Sequence, residues 1–220
     1  MRYTNIIFDL DGTITEPEEG IVNGVIYALS KFNIGVEDRK SLHRFIGPPL
    51  RDSFRDFYGL TEAETEAAVK YYREYYSVNG LVENELMPGM KDALISLNNA
   101  GCKLYVATSK PEIYAKKILD NLGVLNLFQV VAGSLLDGSR DKKELVIDYL
   151  LEESGIRFDT NYTDKTVMIG DRCFDIEGAK AMGLDNIGVT FGYGSRKEFV
   201  KAGAMKIVDT AEEMTEYILS

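Results

Sequence analysis

The sequence predicts an α/β fold: a doubly wound parallel sheet with an inserted all-helical cap domain. Three observations predict it. Short apolar runs recur along the chain, helical repeats lie between them, and the stretch from Glu16 to Leu86 breaks the alternation.

The first run, Asn5-Ile6-Ile7-Phe8, is apolar throughout and ends at Asp9-Leu10-Asp11-Gly12-Thr13, as expected of a parallel strand buried on both faces. Similar runs follow at Leu104–Ala107, Gln129–Ala132, Val167–Ile169 and Ile187–Val189. Helical patterns occupy Ile113–Leu122, Lys142–Ser154 and Phe174–Met182, and Ala211–Leu219 closes the chain as a helix. Strands alternating with helices of this length imply βαβ units.

Residues 16–86 read differently. Ile21, Val25 and Leu29 recur at helical spacing, and Glu62–Tyr76 places Ala68, Tyr72 and Tyr76 on one face. The turn-prone Gly47-Pro48-Pro49 separates them and leads into a short helical pattern through Tyr58. No strand is expected here. The predicted division is a core of residues 1–15 and 87–220 with a helical cap of 16–86. In doubly wound sheets ligands bind beyond the carboxyl ends of the strands, and the cap leaves the core at that edge. It is therefore expected to act as a lid, hinged near Thr15–Pro17 and Leu81–Met87. The pairs Tyr71-Tyr72 and Tyr75-Tyr76 are read as packing within the cap.

Composition narrows the partners. A net charge of −10 argues against a nucleic-acid binder, which needs a basic face. It does not argue against small anions, because a bound cation reverses the field within one cleft. Two cysteines, Cys102 and Cys173, are too few for a disulfide framework and fit a cytoplasmic protein. The early first strand leaves no room for a signal peptide, and no apolar run is long enough to span a bilayer. No membrane partner is expected, and a monomer or homodimer is.

The chemistry-bearing residues follow the predicted strands. Asp9 and Asp11 are two carboxylates crowded at a strand end, and a hard cation such as Mg2+ offsets their repulsion. Leu104–Ala107 leads into Thr108 and Ser109, the pair Lys142-Lys143 opens a helix, and Val167–Ile169 leads into Gly170-Asp171, with Asp175 four residues on. Each feature alone is commonplace: Asp-x-Asp in turns, Thr-Ser in caps, Gly-Asp in loops. In order, each beyond a strand, they form the set that phosphoryl transfer needs: a nucleophile, positive charge and a proton donor. The one histidine, His43, falls in the cap and is read as surface. No Gly-x-x-x-x-Gly-Lys loop occurs, so an ATP-driven kinase is not expected.

With these motifs the sequence resembles the haloacid dehalogenase (HAD) superfamily, in its phosphoglycolate phosphatase-like branch. The resemblance covers essentially the whole chain and implies a Rossmannoid catalytic core. It implies a Mg2+-dependent phosphomonoesterase acting on a small-molecule phosphate ester, of phosphoglycolate or nucleoside monophosphate type, through an aspartyl-phosphate. By that similarity Asp9 is the nucleophile and a metal ligand. Asp11 is the general acid and binds the metal through its backbone carbonyl. Gly12 and Thr13 complete the phosphate-facing turn. Thr108 holds the transferring phosphoryl group with Ser109 assisting, Asp171 coordinates the metal, and Asp175 orients a metal-bound water or a basic neighbour. The family's phosphate-holding lysine matches Lys143 better than Lys142, since it directly precedes Glu144-Leu145-Val146-Ile147.

Substrate choice is expected in the cap, where Ile46-Gly47-Pro48-Pro49-Leu50 resembles the family's cleft-facing loop, flanked by Arg44 and Arg51 as candidate anion ligands. Asp11 argues against a dehalogenase. The absence of an early cap lysine argues against a Schiff-base phosphonatase. The absence of an early cap histidine favours hydrolysis over a β-phosphoglucomutase-like transfer. Pyrophosphate hydrolysis, protein tyrosine phosphatase activity and a non-catalytic binding role stay open as lesser alternatives.

Overall fold

The computed structural model describes residues 1–220. Its main sheet has six parallel strands: β1 (Asn5–Phe8), β4 (Lys103–Pro111), β5 (Phe128–Ser134), β6 (Thr166–Gly170), β7 (Asp185–Val189) and β8 (Lys206–Val208), in the order β5-β4-β1-β6-β7-β8. Two short strands, β2 (Thr15–Glu16) and β3 (Glu85–Leu86), form a separate ribbon. The helices are α1 (Glu18–Ser30), α2 (Leu50–Tyr58), α3 (Glu62–Tyr75), α4 (Met90–Asn99), α5 (Glu112–Asn121), α6 (Lys143–Glu153), α7 (Tyr162–Lys165), α8 (Cys173–Ala181), α9 (Arg196–Ala202) and α10 (Ala211–Leu219).

Alternation within the strands sorts side chains onto two faces. Ile6, Phe8, Leu104, Val106, Val167 and Ile169 join Leu94, Leu97, Leu119 and Met214 in one apolar layer. Ile7, Tyr105, Ala107 and Met168 point the other way and join Val146, Ile147 and Leu150. Burial on both sides explains why these strands read as continuous apolar runs.

The chain divides into two compact units, one of residues 1–16 and 86–220, the other of residues 17–85. In the smaller unit α1 packs on α3, and Gly24 admits the Tyr72 ring where a Cβ would collide with it. Tyr72 and Tyr76 are buried and stacked 5.1 Å apart, and Phe45 meets Phe54 and Phe57 edge-on at 5.1 and 5.3 Å. Residues 39–45 form a 3-10 helix, and α3 runs into one π-helical stretch at Tyr76–Gly80. His43 differs from its reading as surface: it is half-buried, with Nε2 2.9 Å from the Glu18 carboxylate.

Several elements lie outside the predicted set. Residues 16–86 do contain strand at both ends, in the two-residue partners β2 and β3, too short for periodicity to reveal. Helix α4 carries its apolar residues at Met90, Ala93, Leu94 and Leu97, a helical spacing that was legible. Strand β8 has three residues, lies at the sheet edge and opens on a lysine, so it offers little apolar signal.

Candidate active site

Asp9 leaves β1 still in the ladder, its amide donating to the Ile169 carbonyl at 2.8 Å. The chain then closes a tight turn in which the amides of Ile14 and Thr15 both donate to the Leu10 carbonyl at 2.9 Å. Gly12 sits in this turn at φ 81°, and a Cβ there would collide with the Asp171 carboxylate. Glycine is therefore required twice, by the backbone and by the neighbour it admits.

Asp171 follows β6 and accepts from the Tyr193 amide at 2.8 Å and the Thr13 hydroxyl at 3.5 Å. Asp175 lies in the first turn of α8, where its carboxylate accepts from the Arg172 amide at 3.0 Å and faces the positive end of the helix. One oxygen each of Asp9, Asp171 and Asp175 lie within 4.8 Å of one another, all buried. Burial and the neighbouring Asp175 and Asp9 carboxylates push Asp171 well above the ordinary carboxylate range. Burial likewise pushes Asp175 up to about 6, against the pull of Lys143.

Two buried lysines pair with the carboxylates of this region, one with the cluster and one with Asp11. Lys143, the first residue of α6, places Nζ 2.8 Å from both Asp9 and Asp175 and donates to the Ala107 carbonyl at 3.0 Å. Burial opposes its charge, but Asp175 and Asp9 outweigh that and push its pKa up. Lys142 stands exposed at the cap position just before α6. Asp11 points elsewhere: its Oδ1 lies 2.6 Å from Lys110 Nζ. Burial raises the Asp11 pKa, Lys110 opposes the rise and Asp9 adds to it.

Thr108 is buried within β4, before the register shift near its end; its Oγ1 accepts from the Lys110 amide at 3.2 Å, and Ser109 is half-buried beside it. Asp9, Gly12, Thr13, Asp171, Asp175 and Lys143 thus share one network of contacts, and Asp11 pairs with Lys110 within electrostatic reach of Asp9 and Lys143. Arg44 and Arg51 lie in the helical unit with partners of their own. The Arg44 guanidinium stacks 4.4 Å from the Phe57 ring centre, and Arg51 Nη1 lies 2.6 Å from Glu66 Oε1.

Sequence reasoning passed over two participants. Lys110 stands in the run Val106–Pro111 without a role assigned to it; its position two residues beyond Thr108, in the same strand end, was the available signal. Tyr193, in the glycine-rich run after β7, donates its amide to Asp171 and its hydroxyl to Glu16. A Cβ at Gly192 would collide with Gly12 and Asp171, so this run packs on the first turn.

The donor set fits a hard divalent cation: buried carboxylate oxygens, close together, mutually repelling. Four carboxylates face two ammonium groups, leaving two formal negative charges, which one such ion would balance.

Comparison with known proteins places this geometry. Residues 6–189 match the model of the haloacid dehalogenase-like hydrolases. A 5'-nucleotidase of Pseudomonas aeruginosa is 43% identical over 90% of this chain and 87% of its own. The tyrosine-protein kinase PtkA of Mycobacterium tuberculosis is 37% identical over 96% of this chain and 70% of its own. The crystal structure of a predicted phosphatase from Clostridium acetobutylicum superimposes with a TM-score of 0.93 at 42% identity, covering 100% of this chain and 99% of that one. With a family model spanning most of its length and close relatives along nearly all of it, the chain belongs to the haloacid dehalogenase-like hydrolases.

Proposed function

We propose that the protein is a Mg2+-dependent phosphomonoesterase that cleaves small phosphate esters through an aspartyl-phosphate on Asp9. The observation that carries this is the unequal partnering of two carboxylates at one strand end. Asp9 faces Lys143 and the acidic cluster, while Asp11 turns away to Lys110. That separates a nucleophile from a proton carrier within three residues.

Asp9, Asp171 and the Asp11 carbonyl would hold the Mg2+, with Asp175 behind them; when bound, the ion offsets negative charge on the phosphoryl oxygens. The protein's own groups do the rest. Lys143 and Thr108 hold the phosphoryl group in line with Asp9. An Asp9 carboxylate oxygen bonds to phosphorus as the ester P–O bond breaks, and the leaving oxygen takes a proton from Asp11. Water then attacks the phosphorus of the aspartyl-phosphate and gives its proton to Asp11, releasing phosphate and restoring Asp9. Burial that raises the Asp11 pKa suits a group that must carry a proton near neutral pH.

The relative named a 5'-nucleotidase supports nucleoside monophosphates as the first substrates to test, with phosphoglycolate beside them. The helical unit is the proposed cap, and Arg44 and Arg51 its proposed contacts to the rest of the substrate. The relative named a kinase does not redirect the assignment, since no nucleotide-phosphate loop accompanies the motifs here. A phosphate-release screen over small monoesters, with and without Mg2+, tests the proposal. Activity is expected only with Mg2+, and Asp9→Asn is expected to abolish it while the fold persists. Full activity of Asp9→Asn would overturn the covalent mechanism.

A further inference from the structure

We propose that Lys110 is a positioning residue that orients the Asp11 carboxyl toward the leaving-group oxygen. The inference rests on the phosphatase assignment above and extends it to a residue with no role there.

Four features show that the chain builds this contact. Both side chains are nearly sealed, Lys110 with 5% of its side chain exposed and Asp11 with 11%, and the ion pair is 2.6 Å long. A surface pair of that length would order little, but a buried one fixes both partners, because neither finds water to replace the other. The β4–β5 ladder shifts register between Thr108 and Pro111, around Lys110, and such irregularities re-aim side chains at strand ends. Opposite, Gly133 lets the backbone of Lys110 and Glu112 pass close, where a Cβ would collide with it. The Lys110 amide, tied to the Thr108 hydroxyl, sets the base from which the side chain reaches.

With Oδ1 held by Lys110, Asp11 presents Oδ2 for proton exchange. Lys143 already serves Asp9 and Asp175, so Lys110 is not needed to neutralise the nucleophile. Removing it should disturb proton transfer and leave phosphoryl binding largely intact.

The test compares Lys110→Met with the native protein on a nucleoside monophosphate, whose alkoxide needs a proton to leave, and on p-nitrophenyl phosphate, whose phenolate does not. Lys110→Met is expected to lower kcat on the nucleotide roughly a hundredfold with KM little changed, the size of a lost general-acid contribution. On p-nitrophenyl phosphate it should keep a rapid burst of about one nitrophenol per active site, followed by slow turnover as the aspartyl-phosphate waits for its base. Should Lys110→Met not fold, Lys110→Arg keeps the charge in place but not its geometry, and should show the same split at roughly tenfold. Equal loss of the first-turnover rate on both esters, loss of the burst, a change in KM alone, or no change would each overturn the role of Lys110. A native protein that cleaves neither ester would overturn the phosphatase assignment instead, and the role of Lys110 with it.

Discussion

At the scale of single residues, the site is a balance of buried charge. Asp171 lacks the close ammonium that Asp9, Asp11 and Asp175 each have, and burial, with the neighbouring Asp175 and Asp9, pushes its pKa up. A divalent ion would relieve that strain, so binding should stabilise the fold by mass action. At about a hundredfold excess over its dissociation constant, Mg2+ would contribute roughly 2.7 kcal/mol, or about 5–10 °C in Tm for a chain of this size. Asp171→Asn should abolish the rise. It should also leave the metal-free protein at least as stable as the native one, because it removes a repelled carboxylate. Thermal unfolding of both proteins, with Mg2+ and with a chelator, checks this; an undiminished Mg2+ shift in the variant would refute it.

At the scale of elements, the strands that carry the site were legible because burial on both faces leaves unbroken apolar runs, and Asp9, Thr108 and Asp171 could be placed at their ends. Lys143 could be placed too, through the family resemblance, which sets its lysine just before the acidic-then-apolar start of α6. What stayed hidden depends on contacts between distant segments. Nothing in the local pattern around Lys110 says that it bends back to Asp11, 99 residues away in sequence. The family resemblance puts the glycine-rich run after β7 near the site, but no local pattern names Gly12 and Asp171 as the residues it lies on. Helix α9 is tied to the acidic loop in the same hidden way. Glu198 accepts from the Cys173 amide at 2.7 Å and from Arg172 Nε at 3.1 Å. Burial works against the Glu198 carboxylate, but the Cys173 amide and Arg172 outweigh it and hold its pKa below the usual range. A depressed carboxylate contributes stability above its unfolded pKa of about 4.3 and loses it as pH falls through the lower folded value. Glu198→Gln should therefore cost about 1 kcal/mol at pH 7, and the gap to the native protein should close on acidification below about pH 4. Urea unfolding of the two proteins across pH measures it, and a gap independent of pH would show that packing, not charge, holds the contact.

At the scale of the whole molecule, the two units have separate cores. Every residue of the apolar layers on the two faces of the sheet belongs to 1–16 or 86–220, and none comes from the helical unit. The exit and return of the chain are also joined within the larger unit, where the Met87 amide donates to the Ile14 carbonyl at 2.9 Å. The larger unit thus holds its own hydrophobic layers, its own closure and all of Asp9, Asp11, Thr108, Lys110, Lys143, Asp171 and Asp175. Replacing residues 17–85 with an Asn-Gly turn, a pair that closes two-residue hairpins, should give a folded core. That core should keep the Mg2+-dependent rise in Tm, since the proposed ligands are intact. If the helical unit selects the ester, the core should cleave nucleotides, phosphoglycolate and p-nitrophenyl phosphate slowly, with kcat/KM values within about tenfold of each other. Selection by one added pocket contact is worth about that much or more, and its loss should level the series. A core that retained the native order and spread of preferences would place selectivity among the strand ends, and the proposed contacts of Arg44 and Arg51 would fall.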